Sequence, residues 1–176
     1  MTELRTAHTA DLDTGQRSAI RSLMDAAFGT VSDDTFENVL GGVHALIFED
    51  GELIGHGSVI QRRLLYGGRA LRAGYVEGVA VRADRRRRGH GAALMAALER
   101  VIRSAYQLGA LGASDEGGRL YASRGWQLWR GPSRALTPDG IRRTADKDGI
   151  IYVLPVSAPL DVSAELTCDW RPGSLW

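Results

Sequence analysis

The run YVEGVAVRADRRRRGHGAALMAALERVIR, from Tyr75 to Arg103, constrains this chain more than any other stretch, because it forces a strand, a basic turn and a helix into immediate succession. Tyr75 to Arg82 is rich in valine and small residues and reads as a strand. Leu94, Leu98, Val101, Ile102 and Ala105 recur at helical spacing and predict one buried helical face. Between them, Ala83 to His90 holds four consecutive arginines and leads into Gly89-His90-Gly91. A helix N-terminus presents unpaired backbone N–H groups and the positive end of the peptide dipoles, so glycine at that point lets a phosphate come close. Neighbouring guanidinium groups add charge-assisted hydrogen bonds. The spacing Arg86-x-x-Gly89-x-Gly91 lacks the third glycine of the dinucleotide fingerprint and the Gly-Lys-Ser/Thr ending of the P-loop. Neither nucleotide motif is present.

The 176 residues suit one domain spanning 1–176, large enough to bury a core without disulfides or metals. With 44% hydrophobic and 24% charged residues the chain is composed like an ordinary globular protein, which argues against disorder. The net charge of +1 conceals a local excess, since Arg82 to Arg88 holds five arginines and one aspartate. A basic turn suits a phosphorylated ligand, and the acids scattered through Asp33 to Glu37, Asp115-Glu116 and Asp139 to Asp148 suit a cationic one. The single Cys168 cannot form an internal disulfide. MTELRTAHTADLD lacks a leader's apolar stretch, and no window approaches the roughly eighteen apolar residues of a membrane span, so a cytoplasmic protein without membrane partners is expected. His8, His44, His56 and His90 are dispersed, with no cysteine near them, so no metal site is expected.

Leu4 to His8 reads as a strand, and Asp13 with Gln16 three residues later forms a capping-box pattern. Ile20, Leu23, Met24, Ala27 and Phe28 then mark one buried helical stripe that Gly29 ends. Ser32 or Asp33 can cap a second helix over Thr35 to Leu40, closed by Gly41-Gly42. Val43–Glu49, Leu53–Leu65 and Arg69–Arg82 predict an antiparallel meander joined by tight turns at Asp50-Gly51 and Gly67-Gly68. Gly78 can host a bulge in the last of these strands. Gln107–Gly112 predicts a strand parallel to Tyr75–Arg82 across a helical crossover. Ser114-Asp115 can cap a helix through Arg124 that Gly125 closes; Trp126–Trp129 and Ile150–Pro155 read as further strands, with a polar loop over Pro132–Asp148. The two tryptophans of the tail CDWRPGSLW argue that it packs on the domain or on a second subunit.

The run Val76 to Val81 followed by Arg86-x-x-Gly89-x-Gly91-Ala92 resembles the pyrophosphate-binding motif of the GNAT acetyltransferases. LYASRGW resembles that superfamily's tyrosine-bearing ending. The resemblance implies an α+β fold in which helices flank a mixed, largely antiparallel central sheet. It also implies acetyl-coenzyme A as cosubstrate: Val79 and Val81 would pair with pantetheine, and Arg86, Arg87, Arg88, Gly89, His90, Gly91 and Ala92 would cradle the diphosphate. Over the chain as a whole, the runs LGGVHALI, VIQRRLLY, GYVEGVAVRAD, AYQLGAL, RLYASRGW and AELTCDWRPGSLW, in this order, resemble the aminoglycoside 2′-N-acetyltransferases. That resemblance implies acetyl transfer to the 2′-amino group of a cationic aminoglycoside, with antibiotic resistance as its consequence. Glu77 would be a water-mediated base and Tyr121 the acid. Asp33, Glu77, Gly78, Asp148 and the carboxylate of Trp176 would line the acceptor, and the protein would be a homodimer. Where the family often carries acids beside the C-terminal tryptophan and before the last strand, this chain has Ser174 and Lys147, with Asp146 and Asp148 adjacent.

Two other readings stand beside this one. The same fold can acetylate a different amine, such as a protein N-terminus, a polyamine or an envelope amino sugar. Arg82 to Arg88 can also serve a nucleic-acid-binding module, although no aromatic residue is interleaved among the arginines and the chain is near neutral, so no nucleic-acid partner is expected. Asp33, Asp34 and Glu37 can equally be cap and surface acids.

Overall fold

The computed structural model describes residues 1–114 and 116–176, which form two compact units: Met1–Ile60 with Val76–Val101, and Gln61–Tyr75 with Ile102–Trp176. Strands β3 (Glu52–Tyr66) and β4 (Arg69–Val81) and helix α3 (His90–Ala105) contribute residues to both.

In the first unit β1 (Thr2–His8) pairs antiparallel with β2 (Val43–Glu49), from Thr2↔Glu49 to His8↔Val43. β2 pairs antiparallel with β3, from Val43↔Val59 to Glu49↔Glu52. The β2–β3 turn takes left-handed φ at both central residues, +51° at Asp50 and +86° at Gly51, which is what a two-residue hairpin between twisted strands requires. Helix α1 (Thr14–Phe28) opens on the expected capping box: Gln16 N–H donates to Asp13 Oδ1 at 2.7 Å, and Asp13 N–H to Gln16 Oε1 at 3.1 Å. Ile20 and Met24 bury against Leu12, Val31, Phe36, Val39 and Leu46. Ser32 caps α2 (Asp33–Glu37), which stops three residues short of the expected Leu40.

Helix α3 lies close over β3 because β3 carries glycine where it passes beneath. A Cβ on Gly57 would meet Leu98 Cδ1 at 3.0 Å and Val79 Cγ2 at 3.2 Å, and one on Gly55 would meet Leu94 Cδ1 at 3.4 Å. Leu94 and Leu98 are fully buried, as their spacing predicted. Of the predicted stripes Ala27 and Val101 are half-buried, and Phe28 and Ala105 are exposed. Each of the exposed pair is the last residue of its helix, beyond which the chain turns away, in Phe28's case through Gly29 at φ +81°.

In the second unit β5 (Leu108–Gly112) runs parallel to the Ala73–Tyr75 segment of β4, as the helical crossover requires, and antiparallel to β9 (Ile151–Pro155). Helix α4 (Gly118–Ser123) is followed by β6 (Gln127–Leu128), which pairs with β9 and is shorter than the expected Trp126–Trp129. The predicted side-chain cap of α4 is not made by Ser114. Gly117 is the N-cap and carries no side chain, and Ser114 instead accepts the Gly117 N–H through its carbonyl at 2.9 Å. The Asp115 half of that expectation lies outside the described residues.

Pro132–Asp148 is not a loop. It contains the hairpin β7 (Ser133–Thr137) and β8 (Gly140–Arg143), and β10 (Leu166–Cys168) of the tail runs parallel to β7 and antiparallel to Leu64–Leu65 of β3. The inward residues of β7, Ser133 and Ala135, are small, and every residue of β8 is exposed. Neither strand therefore shows apolar alternation. Both units combine helices with strands; the pairings of the first are antiparallel and those of the second are mixed, in line with the expected α+β class.

Met24→Ala should lower the unfolding free energy by about 2–4 kcal/mol, the usual cost of truncating a buried methionine. Phe28→Ser should change it by less than about 0.5 kcal/mol, because an exposed side chain leaves no cavity. Urea titration of the two variants checks both values.

Candidate functional site

The basic turn is divided by its own hydrogen bonds. Arg82 pairs with Glu52 at 2.8 Å and with Asp84 at 2.7 Å; Arg85 pairs with Asp84 at 2.7 Å and with Glu49. Acids of the same unit thus neutralise two of the five arginines. Arg86, Arg87 and Arg88 are exposed, and Arg86 Nε–H donates to the Val81 carbonyl at 3.1 Å.

After a 3-10 turn at Ala83–Arg85 the chain enters α3 through left-handed φ at Arg87 (+60°) and Gly89 (+84°). The helix ladder starts with Ala93 N–H to Gly89 O at 3.0 Å, so the amides ahead of it, those of His90, Gly91 and Ala92 among them, have no partner inside the helix. Its own chain neighbours apart, no atom of the described residues lies within 4 Å of where a Gly89 Cβ would stand. Open amides, space beside a glycine that only its positive φ demands, and three exposed guanidinium groups fit a diphosphate. Val79 and Val81, half-buried at the end of β4, lead directly into this loop.

Just before Val79, β4 runs through Gly78, where φ is +57°, the left-handed conformation that a glycine bulge uses. The site is crowded: a Cβ there would meet Val39 Cγ1 at 3.1 Å, Met24 S at 3.2 Å and His56 Cε1 at 3.4 Å. Glu77 is half-buried, with Oε1 shielded from water. Two of the dispersed histidines, His44 and His56, converge here. His56 Nδ1 lies 2.9 Å from the Gly78 carbonyl, His56 Nε2 lies 2.9 Å from His44 Nδ1, and His44 Nε2 lies 2.7 Å from Thr9 Oγ1. Both imidazoles are fully buried, and loss of hydration pushes His56 down to about 3 and His44 down to about 4. Among the described residues no group of three histidine, cysteine or acidic side chains could hold a metal. Asp33, in the same unit, is exposed and paired with Arg21 at 2.8 Å.

In the second unit Tyr121 is buried on α4, with its ring 6.2 Å from Trp126 and 6.0 Å from Tyr152. Burial pushes its phenol up to about 12. A Cβ on Gly117 would stand 2.8 Å from that ring, so the α4 cap is glycine for reasons of space.

The tail is held from below by Arg62, a nearly buried arginine facing Tyr75, whose ring centroid is 4.6 Å away. Its Nε–H donates to Asp169 Oδ1 at 2.7 Å, its Nη2–H to Asp169 O at 3.0 Å and its Nη1–H to Leu175 O at 2.7 Å. Trp176 is buried; its indole N–H donates to Thr144 Oγ1 at 3.0 Å, and Ser174 Oγ–H donates to Trp176 O at 2.6 Å. Thr144 in turn shares a 2.8 Å hydrogen bond with Ser133 Oγ, which donates to Asp148 Oδ1 at 2.9 Å. One polar network therefore joins Trp176 to Asp148. Asp148 is also paired with Arg143, which holds its carboxyl well below the usual carboxylate range. Its lone pairs serve the β7–β8 hairpin, so a cationic ligand would have to share them with Arg143.

Of the residues singled out in the sequence, the first unit gathers Asp33, Glu77, Gly78, Val79, Val81 and the Arg86–Ala92 loop, and the second gathers Tyr121, Asp148 and Trp176. Arg62, Thr144, Ser133 and the two buried histidines were not singled out. For Arg62 a signal existed: it occupies the inward register between Ile60 and Leu64 in an alternating strand, where a charge must find a partner.

The chain matches the acetyltransferase (GNAT) domain family over residues 10–129. It is 51% identical over 177 residues to an aminoglycoside 2′-N-acetyltransferase of Mycolicibacterium fortuitum, across 98% of this chain and 91% of that protein. Among solved structures it is similar to ElaA of Escherichia coli, at 19% identity and TM-score 0.63 over 88% of this chain and 99% of that one. It is also similar to a GCN5-related N-acetyltransferase from Kribbella flavida, at 20% identity and TM-score 0.60 over 74% of this chain; this chain spans 34% of that protein's length. At these identities the solved structures speak to the fold alone.

Because burial lowers both histidines, the unfolded chain binds more protons than the folded one from about pH 6.5 down to about pH 3. Above that window protonation does not oppose folding, and stability should fall as pH drops through it. The urea midpoint of the wild type should decline over this range, and His44→Gln/His56→Gln should flatten the decline even though it lowers the midpoint at pH 7.5.

Proposed function

The chain belongs to the GNAT acetyltransferases and, within them, to the aminoglycoside 2′-N-acetyltransferases, and on that premise we propose that it transfers acetyl from acetyl-coenzyme A to the 2′-amino group of aminoglycosides. The observation that carries this reading is the succession, within one unit, of Glu77, the left-handed Gly78, the half-buried Val79 and Val81, and an anion-accepting helix start at Gly89.

When bound, acetyl-coenzyme A supplies the acetyl thioester. The amides of Gly89 to Ala92 and the guanidinium groups of Arg86 to Arg88 hold its diphosphate, while Val79 and Val81 offer backbone groups to pantetheine. The Val79 N–H polarises the thioester carbonyl, since a fixed N–H dipole is most effective where negative charge develops. Glu77 takes a proton from the 2′-ammonium through a water, and the neutral amine so formed attacks. The new C–N bond replaces the C–S bond, and the sulfur departs carrying the electron pair.

On this reading Tyr121 serves that sulfur as a donor. A phenol pushed to about 12 stays protonated throughout the working range. Complete proton transfer from it to a thiolate near 8.5 would run uphill by about 5 kcal/mol. Its contribution is therefore a hydrogen bond to the developing thiolate, and solvent supplies the final proton.

Asp33, Glu77, the Gly78 carbonyl, Asp148 and the Trp176 carboxylate draw the cationic sugar, and acetylation removes one positive charge from it, the chemical basis of the resistance this reading includes. The reading takes residues 1–176 as one catalytic domain of a cytoplasmic homodimer. No helix among the described residues is long and apolar enough to cross a membrane.

Thiol release measured with paired aminoglycosides bearing 2′-NH₂ or 2′-OH should show turnover only with the amino member. Equal turnover of both removes the 2′ assignment, and turnover only with peptides or polyamines would move the enzyme to another acceptor. Tyr121→Phe should lower kcat about 10–100-fold while changing the Kd for coenzyme A by less than about threefold, the pattern of a group that acts on the departing sulfur. An unchanged kcat would remove Tyr121 from the mechanism.

A further inference from the structure

The two buried histidines have no part in the mechanism above, yet they terminate on the backbone at its centre. His44 and His56 lie on the neighbouring strands β2 and β3, with ring centroids 5.2 Å apart. The direction of every hydrogen bond in the chain they form follows from its last member. The Gly78 carbonyl can only accept, so His56 Nδ1 carries a proton. A fully buried, neutral His56 then has a bare Nε2, which must accept from His44 Nδ1–H. That leaves His44 Nε2 bare, and it accepts the Thr9 hydroxyl proton at 2.7 Å in preference to the Gly42 carbonyl at 3.3 Å. The lone pairs of Thr9 Oγ1 are occupied in turn by the N–H groups of Gly41, at 2.8 Å, and Gly42, at 3.2 Å. The chain Thr9→His44→His56→Gly78 therefore runs one way, and no member can reverse its proton without reversing the others.

The Gly78 carbonyl and the Val79 N–H belong to one planar trans peptide and point in opposite directions across it. Pinning the carbonyl fixes where the N–H aims. At most positions the φ/ψ preferences of the flanking side chain resist rotation of a peptide plane. Glycine at +57° offers little such resistance, so the restraint must come from outside the strand. We propose that His56 is a positioning residue for acetyl transfer: by holding the Gly78 carbonyl at the end of a one-way hydrogen-bond chain from Thr9 and His44, it orients the Val79 N–H. This inference rests on the role given to Val79 in the proposed reaction, and it adds residues to which that role assigns nothing.

The test uses the full chain with three substitutions, His56→Leu, His56→Asn and Glu77→Gln. Leucine fills the space of the imidazole without a donor, whereas the asparagine amide nitrogen can stand where Nδ1–H stood. His56→Leu should lower kcat for a 2′-amino aminoglycoside at least about tenfold, with the Kd of coenzyme A changed less than about threefold, and His56→Asn should return kcat to within about threefold of wild type. A packing role gives the opposite order, with leucine better tolerated than the smaller asparagine, and would overturn the proposal. If Glu77→Gln lowers kcat while His56→Leu does not, the positioning role fails and the proposed reaction stands.

A readout independent of turnover separates the remaining case, in which no aminoglycoside is acetylated. Imidazole ¹⁵N spectra of the ligand-free protein at pH 7 should show both His44 and His56 as the Nδ1–H tautomer, with a coupling across the hydrogen bond from His56 to the Gly78 carbonyl. Adding acetyl-coenzyme A should shift the Val79 amide proton further than coenzyme A does in the wild type and in His56→Asn, because only the thioester offers it a carbonyl, and this difference should be lost in His56→Leu. An Nε2–H tautomer at His56, or the full difference retained in His56→Leu, overturns the inference whatever the acceptor proves to be.

Discussion

The close approach of α3 to the glycines of β3 is the constraint on which the first unit depends. A helix carries its unpaired amides at its N-terminus, so their position is set by how the helix body packs. Here Leu94 and Leu98 descend onto Gly55 and Gly57, where a methyl group would meet them at 3.4 and 3.0 Å. That contact sets the depth of α3, and with it the placing of Gly89, Gly91 and the Arg86–Arg88 guanidinium groups at the end of β4. The anion site is in this sense a consequence of apolar packing one to two turns further along the helix.

Both units solve the same problem in different chemistry. Each directs polar side chains inward from a strand, and each satisfies them by fastening a backbone segment. In the first, His44 and His56 replace an apolar pair and hold the carbonyl of a glycine whose φ is left-handed. In the second, Arg62 spends its guanidinium on Asp169 and on the Leu175 carbonyl, and the tail it secures carries Trp176 to Thr144. Such groups are costly to bury unless every partner is present, so the segments they hold are held in one arrangement.

Much of the fold could be read from periodicity. The Asp13–Gln16 capping box, the turns at Asp50-Gly51 and Gly67-Gly68, the buried Leu94 and Leu98, and the parallel placement of β5 all follow from local preference and all occur. The failures are equally physical. β7 turns Ser133 and Ala135 inward and β8 is exposed at every position, so a period of two has no apolar residue to register it. Phe28 carries the right spacing at the wrong place, the final residue of its helix.

The sequence by itself determined the strand, basic turn and helix of Tyr75–Arg103 and the chemistry available there, because those depend on which residues are neighbours along the chain. Only the tertiary structure decided which charges remain free and which polar groups meet. Arg82 and Arg85 are neutralised by Glu49 and Glu52 from the β2–β3 hairpin, Asp148 is already held by Arg143 and Ser133, and two histidines twelve residues apart close on a glycine from a third strand. Strand register brings those partners together, and register is a property of the folded sheet that no window of sequence contains.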